Sequence, residues 1–109
     1  MRQVTFNIPT NNGLVTVRGL PAYFTIGGRR IRFMLQYDSD NKIRHLTHFA
    51  SGMKFGSLNT AEVELTCNLS PYHRFSKRRL AQFLIDKAVA RLGADKVLAS
   101  IDAAKVING

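Results

Sequence analysis

The stretch that decides the fold is YFTIGGRRIRFMLQY, residues 23–37. Gly27-Gly28 separates two apolar segments, Tyr23–Ile26 and Arg30–Tyr37, and this dipeptide tolerates the positive φ angles of tight hairpin turns. In the second segment, alternate residues share a face of a strand: Ile31, Phe33, Leu35 and Tyr37 on one, and Arg30, Arg32, Met34 and Gln36 on the other. The pattern predicts an antiparallel hairpin with an apolar core face and a basic solvent face.

Similar alternation on either side of this hairpin predicts further strands. Gln3–Ile8 and Leu14–Arg18 flank the turn residues that begin at Pro9, and Ile43–Phe49 follows a turn at residues 38–41. Residues 50–59 contain two glycines and are interpreted as either a strand with a bulge or a loop.

A last strand is predicted just before residue 70. Its apolar residues alternate with polar ones, as in a half-buried strand. The apolar set is Val63, Leu65, Cys67 and Leu69, and the polar set is Glu62, Glu64, Thr66 and Asn68.

Helical spacing replaces alternation after residue 70. Ser76 is a favourable N-cap for a helix that runs to Leu92, and Gly93 is placed to end it. Asp95 is a candidate cap for a second helix over residues 96–106, with a short strand at Val97–Ile101 as the alternative. The sequence therefore predicts one α+β domain over residues 1–109, with an antiparallel β-meander of about five strands. One long and one shorter C-terminal helix pack on this sheet.

Composition narrows the class of protein. The chain has 109 residues, of which 45% are hydrophobic and one is a cysteine, so the domain folds without an intramolecular disulfide. No apolar run is long enough to span a bilayer. The first residues also lack the apolar core of a secretory signal, and we expect a cytoplasmic protein without a membrane partner.

The charge balance points to an anionic partner. Sixteen Lys and Arg against seven Asp and Glu give a formal net charge of +9 and a pI near 10.5. Arginine outnumbers lysine, and its planar guanidinium grips phosphate or carboxylate at two points.

The densest group of cations lies at the start of the first predicted helix, in the segment YHRFSKRR, residues 72–79. If Ser76 caps the helix, Lys77, Arg78 and Arg79 occupy its first turn, where the helix dipole already disfavours cations. A bound phosphate or carboxylate reverses this conflict. Arg74 adds a fourth cation, and Tyr72 is placed to stack on a base. The alternative is a solvated charged face.

A second basic group is predicted on the solvent face of the sheet, formed by Arg29, Arg30, Arg32 and Arg44. Such a surface contacts phosphates, whereas base stacking has less support because Phe33 and Tyr37 alternate onto the core face. The competing interpretation is that these arginines pair across strands with Glu62 and Glu64.

The sequence offers no catalytic constellation, and we expect a non-enzymatic protein without a cofactor. His45 and His48 are three residues apart, so in a strand they point to opposite faces and do not share a metal. A divalent-cation site is not expected either, because Asp38 and Asp40 have the pattern of turn formers and Glu62 and Glu64 that of strand surface residues.

Two functions remain. The first is a nucleic-acid-binding protein that holds the phosphate backbone through its basic helix start and its arginine-rich sheet face, with the type of strand left open. The second is a small accessory or inhibitory protein, for example of the phage-inhibitor type, that docks its basic face on an acidic surface of a host protein or nucleoprotein complex.

Overall fold

The computed structural model describes residues 3–68 and 75–108. Within these residues, five strands form one antiparallel sheet in the order β1-β2-β3-β4-β5. The elements are β1 (Val4–Thr10), β2 (Gly13–Ile26), β3 (Arg29–Tyr37), β4 (Ile43–His48), β5 (Lys54–Ser57), α1 (Leu58–Asn68), α2 (Lys77–Leu92) and α3 (Ala94–Ala103). The predicted α+β class, with a meander followed by two C-terminal helices, is confirmed.

The hairpin formed by β2 and β3 follows its prediction. Gly27 and Gly28 form its turn with φ angles of 55° and 83°, which a side chain would disfavour. Ile31, Phe33 and Leu35 of β3 are buried against the helices, as the alternation predicted.

The prediction of separate strands at Leu14–Arg18 and Tyr23–Ile26 is wrong, because β2 is continuous from Gly13 to Ile26. β1 pairs with β2 only as far as Gly19, so no strand of the described residues pairs with the outer edge of β2 beyond that point. The Tyr23 carbonyl points to this open edge, and the backbone nitrogen of Pro21 points the same way since the two residues are two apart. Proline therefore fits here, because no N–H is needed on an open edge.

Phe33 lies at the centre of the main core, with no exposed surface. Its ring makes edge contacts with Phe24, His48 and Phe55 at centroid distances of 5.9, 5.7 and 5.4 Å. The three helices cover this face of the sheet and contribute buried residues such as Leu65 and Leu80.

The strand predicted over residues 62–69 is wrong, because residues 58–68 form helix α1. The Ser57 hydroxyl accepts a hydrogen bond from the amide of Thr60, 3.4 Å away, at the helix start. Leu58, Ala61 and Leu65 are buried at helical spacing, whereas Val63 is 63% exposed. The alternation was coincidental, and the periodicity of the buried residues decides the structure. Leu69 and the side chain of Cys67 lie outside the described part of the chain.

Leu65→Ala and Val63→Ala test this helix directly. Truncation of the buried Leu65 is expected to lower the free energy of unfolding by about 2–5 kcal/mol. The exposed Val63 is expected to change it by less than about 0.5 kcal/mol. Urea denaturation followed by circular dichroism measures both, and comparable losses would contradict a helix here.

The opposite face of the sheet is not the solvent face predicted from β3. Met34 and Thr47 are completely buried, and the Gln36 side chain accepts a hydrogen bond from the Thr47 hydroxyl at 2.7 Å. The sheet curls so that β1 reaches the turn after β4, where the rings of Phe6 and Phe49 are 6.3 Å apart. Much of this face is therefore a second, smaller core.

Gly52 permits the close approach of β1 to this turn. Its φ angle is 68°, and a Cβ atom built on it would lie 2.5 Å from the carbonyl oxygen of Asn7. No side chain can be accommodated at that distance, so Gly52 marks a backbone contact. The predicted bulge lies in β5, where the register shifts between Lys54 opposite Thr47 and Gly56 opposite Leu46.

Asn108 joins the end of the described chain to its beginning. Its side-chain amide accepts from the Asn7 N–H at 2.8 Å and donates to the carbonyls of Asn7 and Phe49 at 2.7 and 2.8 Å. Backbone bonds from Ile107 and Asn108 to the carbonyl of Ala50 extend this clasp. It holds β1 against the turn that follows β4.

Helices α2 and α3 largely follow their predictions. Ser76 caps α2, and its hydroxyl accepts a hydrogen bond from the Arg79 amide. Gly93, with φ 88°, ends α2 and also begins α3. α3 starts one residue before the predicted cap, Asp95, and ends at Ala103, so the strand alternative for residues 97–101 is wrong. None of the helices in the described residues is long and apolar enough to cross a membrane.

His48 is buried in the main core beside Phe33. Its Nδ1 lies 2.8 Å from the hydroxyl of Ser51, which is also buried and accepts a hydrogen bond from the Met53 amide. Burial lowers the pKa of His48 below 6.5, against a smaller opposite effect of Asp102. The ring is therefore neutral at neutral pH.

This burial predicts a pH dependence of stability. As the pH falls below about 6.5, the unfolded chain binds a proton at residue 48 before the folded chain does, so the folded state loses stability. Urea midpoints at about pH 7.5 and about pH 5.5 are expected to fall further for the native protein than for His48→Gln. An equal fall in the native protein and in His48→Gln would contradict a lowered pKa of His48. His45→Gln is the comparison variant, because burial also lowers the pKa of His45.

Candidate anion-binding surface

The first turn of α2 presents the cations that the sequence predicted there. The Ser76 cap fixes this turn, and Arg78 and Arg79 are exposed while Lys77 is half-buried. Neither Lys77 nor Arg79 forms an ion pair with any described residue. Tyr72 and Arg74, the other predicted residues of this segment, lie outside the described residues.

Arg78 connects α2 to the open edge of β2. Its Nη2 donates to the carbonyl oxygen of Tyr23 at 3.0 Å, and its guanidinium carbon lies 4.6 Å from the centroid of the Phe24 ring. A carbonyl oxygen and an aromatic face both attract a cation. Arg78 thus partly relieves the electrostatic conflict of a cation at a helix start, and it covers a sheet edge that no strand pairs with.

Arg30 reaches the same tyrosine from β3. Its guanidinium carbon lies 4.3 Å from the centroid of the Tyr23 ring, and Arg32 is the direct partner of Tyr23 across the two strands. We call these four residues, Tyr23, Arg30, Arg32 and Arg78, the Tyr23 cluster. The structure thereby brings together residues of the two predicted basic groups, which are far apart in the sequence.

Arg32 is the least available cation of the cluster. It is half-buried, its guanidinium carbon lies 3.9 Å from the centroid of the Phe49 ring, and its Nε is buried without a hydrogen-bond partner among the described residues. Arg32 therefore packs the curled face of the sheet, whereas Arg30 is exposed.

Arg29 and Arg44 do not join the cluster. Both nitrogens of the Arg29 fork bind the Asp102 carboxylate, at 2.8 and 2.9 Å. This hydrogen bonding lowers the pKa of Asp102 and raises that of Arg29. Arg44 of β4 binds Asp40 at 2.6 Å. Asp40 lies in the turn between β3 and β4, at the end of β3 away from Tyr23. This hydrogen bond lowers the pKa of the Asp40 carboxyl.

The predicted pairing of these arginines with Glu62 and Glu64 is wrong. Both glutamates lie on α1 rather than on a neighbouring strand, and Glu64 binds Lys87 of α2 at 2.6 Å. Arg30 and Arg78 therefore have no anionic partner among the described residues.

Tyr23 is the component that sequence reasoning missed. It is 40% exposed and lies among the cations of the sheet face, where base stacking had less support because Phe33 and Tyr37 were predicted to face the core. The Gly27-Gly28 turn fixes the register that pairs Tyr23 with Arg32, so counting back from this turn would have revealed it.

His45 and His48 lie on opposite faces of the sheet, as their spacing in a strand predicted. His48 faces the helices, whereas His45 pairs with Gln36 on the other face of the sheet. Over residues 3–68 and 75–108, no group of three or more His, Cys, Asp or Glu side chains is placed to bind a metal ion.

No family model matches this chain, and neither a curated protein nor a solved structure matches it. We therefore infer its function from the contacts and charges of the described residues.

Arg78 is expected to stabilise the fold, in contrast to its neighbour Arg79. Arg78→Ala removes the contacts with Tyr23 and Phe24 and should lower the free energy of unfolding by about 1 kcal/mol. Arg79→Ala removes an exposed side chain without a hydrogen bond or ion pair to the described residues, and should change the free energy of unfolding by less than about 0.5 kcal/mol. Urea denaturation of the two variants measures the difference, and equal values would mean that the Tyr23 contact contributes nothing.

Proposed function

We propose that this protein is a non-enzymatic nucleic-acid-binding protein that holds the phosphate backbone at the Tyr23 cluster and the adjoining first turn of α2. The observation that carries the proposal is the meeting of two basic segments at one tyrosine. Arg78 approaches its carbonyl and Arg30 its ring. A folded chain that repels itself through a net charge of +9 gains from an anion that neutralises such a concentration of cations.

The available charges suit a polyanion. Lys77, Arg79 and Arg30 have no carboxylate partner among the described residues. Several such cations next to one another can contact successive phosphates, and each contact releases condensed counterions. Phosphate contacts position a nucleic acid but do not read its sequence, so we expect little sequence discrimination.

Tyr23 favours a single strand within this proposal. The Arg30 guanidinium lies over the Tyr23 ring, and Tyr23 is 40% exposed. Bases of a single strand stack on an exposed tyrosine or on a guanidinium plane, whereas the bases of a duplex are already stacked on one another.

Fluorescence anisotropy with short single- and double-stranded DNA and RNA, titrated over salt concentration, tests the proposal. The test variant is Lys77→Glu/Arg79→Glu, which leaves Arg78 and its packing intact. We expect the native protein to bind with a steep salt dependence. Loss of two phosphate contacts should reduce the slope of log K against log salt by about 1.4, at about 0.7 for each contact with a single strand.

Lys42→Glu/Lys105→Glu is the matched control. It changes the net charge by the same amount, and Lys42 lies in the turn at the far end of β3. The control should keep most of the native affinity if the interface is local. An equal loss of affinity in both variants would mean that binding depends on net charge and not on a local interface. No binding by the folded protein at low salt would overturn the proposal.

One observation favours the second candidate, docking on an acidic protein surface. Arg78 and Arg30 are both fixed against Tyr23, and pre-positioned tyrosine and arginine are the residue types that dominate protein interfaces. In that case one or two of these residues carry most of the affinity, whereas phosphate binding is spread over several cations.

A further inference from the structure

An apolar cavity lies away from the Tyr23 cluster, between α2, α3 and the segment that enters β5. Its volume is about 460 Å³, within the range of small-molecule sites. Most of its lining is apolar and includes Phe55, Leu84, Val97 and Ile101.

Three cations lie around this cavity, namely Lys54, Lys87 and Arg91, and its lining contains no carboxylate. Lys87 binds Glu64 at 2.6 Å. Lys54 and Arg91 are exposed and form no ion pair with the described residues. Glu64 neutralises Lys87, so Lys54 and Arg91 give the apolar cavity a positive charge that no ion pair among the described residues neutralises.

His48 and Ser51 add a polar group to the lining. The Ser51 oxygen already accepts from the Met53 amide, and its own hydrogen has one acceptor within reach, Nδ1 of His48 at 2.8 Å. If Ser51 donates to Nδ1, a neutral ring carries its proton on Nε2. Nε2 has no hydrogen-bond partner among the described residues and is not among the buried unpaired atoms, so a ring N–H remains as a donor.

We propose that this cavity binds a small amphipathic anion, with an apolar body inside the cavity and a carboxylate held by Arg91 and Lys54. A cation is disfavoured by the unpaired Lys54 and Arg91, and a highly polar ligand is disfavoured by the apolar lining. This site shares no residue with the Tyr23 cluster or the first turn of α2, so it stands or falls independently of nucleic-acid binding.

Titration of the isotope-labelled protein with sodium decanoate, followed by amide NMR spectra, tests the proposal. Saturable shifts are expected at the amides of Val97, Ser100 and Ile101, with the dispersed spectrum of the folded protein retained. Decylamine and decanol, which have the same chain with a cationic or a neutral head, should bind more weakly than decanoate.

Arg91→Gln and Lys54→Gln should each lower the affinity for decanoate by about threefold to fivefold, since each removes one exposed cation–carboxylate contact. Lys96→Gln is the matched control, because Lys96 is exposed on α3 and does not line the cavity. Ser100→Leu should reduce binding by filling the space, and its own spectrum reports whether it folds.

The proposal is overturned if decanoate produces no saturable shifts around the cavity, or if decylamine binds as tightly. It is also overturned if Lys96→Gln weakens binding as much as Arg91→Gln, because the effect would then come from net charge. If Ser100→Leu fails to fold, the two charge variants still decide the outcome, since both residues are exposed.

Discussion

The difference in length between β1 and β2 is the constraint on which the rest of the structure depends. β2 has 14 residues and β1 has seven, and they pair only as far as Gly19. No strand within residues 3–68 and 75–108 therefore pairs with the outer edge of β2 beyond that point. A hydrogen-bonding edge must be covered or charged to prevent association with other chains, and Arg78 supplies both functions when it donates to the Tyr23 carbonyl. The cluster of cations and one aromatic ring is a direct result of how this edge is covered.

Much of the fold could be predicted because its signals are local. The Gly27-Gly28 turn, the Ser76 cap and the Gly93 helix end are each set by the conformational preferences of one or two residues. α1 could not be predicted from alternation, because Val63 and Leu65 are on different sides of a helix although they would share a face of a strand. Ser57 and the spacing of Leu58, Ala61 and Leu65 carried the correct signal. The burial of Met34 depends on β1 and Phe49, which no pattern within β3 indicates.

The candidate site was predicted as two sets of cations, without their relation to each other. Arg30 and Arg78 were both identified, but a contact between α2 and the edge of β2 depends on how the helix packs on the sheet. The positive charge of the arginines also did not indicate which of them form ion pairs and which do not. Arg29 and Arg44 belong to the same predicted group as Arg30, yet each binds an aspartate whose position is set by α3 or by the β3–β4 turn. The positions of the seven acidic residues thus determine which of the sixteen basic residues form ion pairs.

The Asn108 clasp has a consequence for the order of folding. Its hydrogen bonds to Asn7 join residues 101 positions apart, so they repay the entropy of closing that loop only after the intervening sheet and helices are in place. The second core between Phe6, Met34 and Phe49 is sealed by the same contacts. During synthesis, β1 is therefore held against the turn after β4 only once Ile107 and Asn108 are available. The amide of Asn7 consequently reports, through its hydrogen-exchange protection, the completion of the whole fold rather than of its own hairpin.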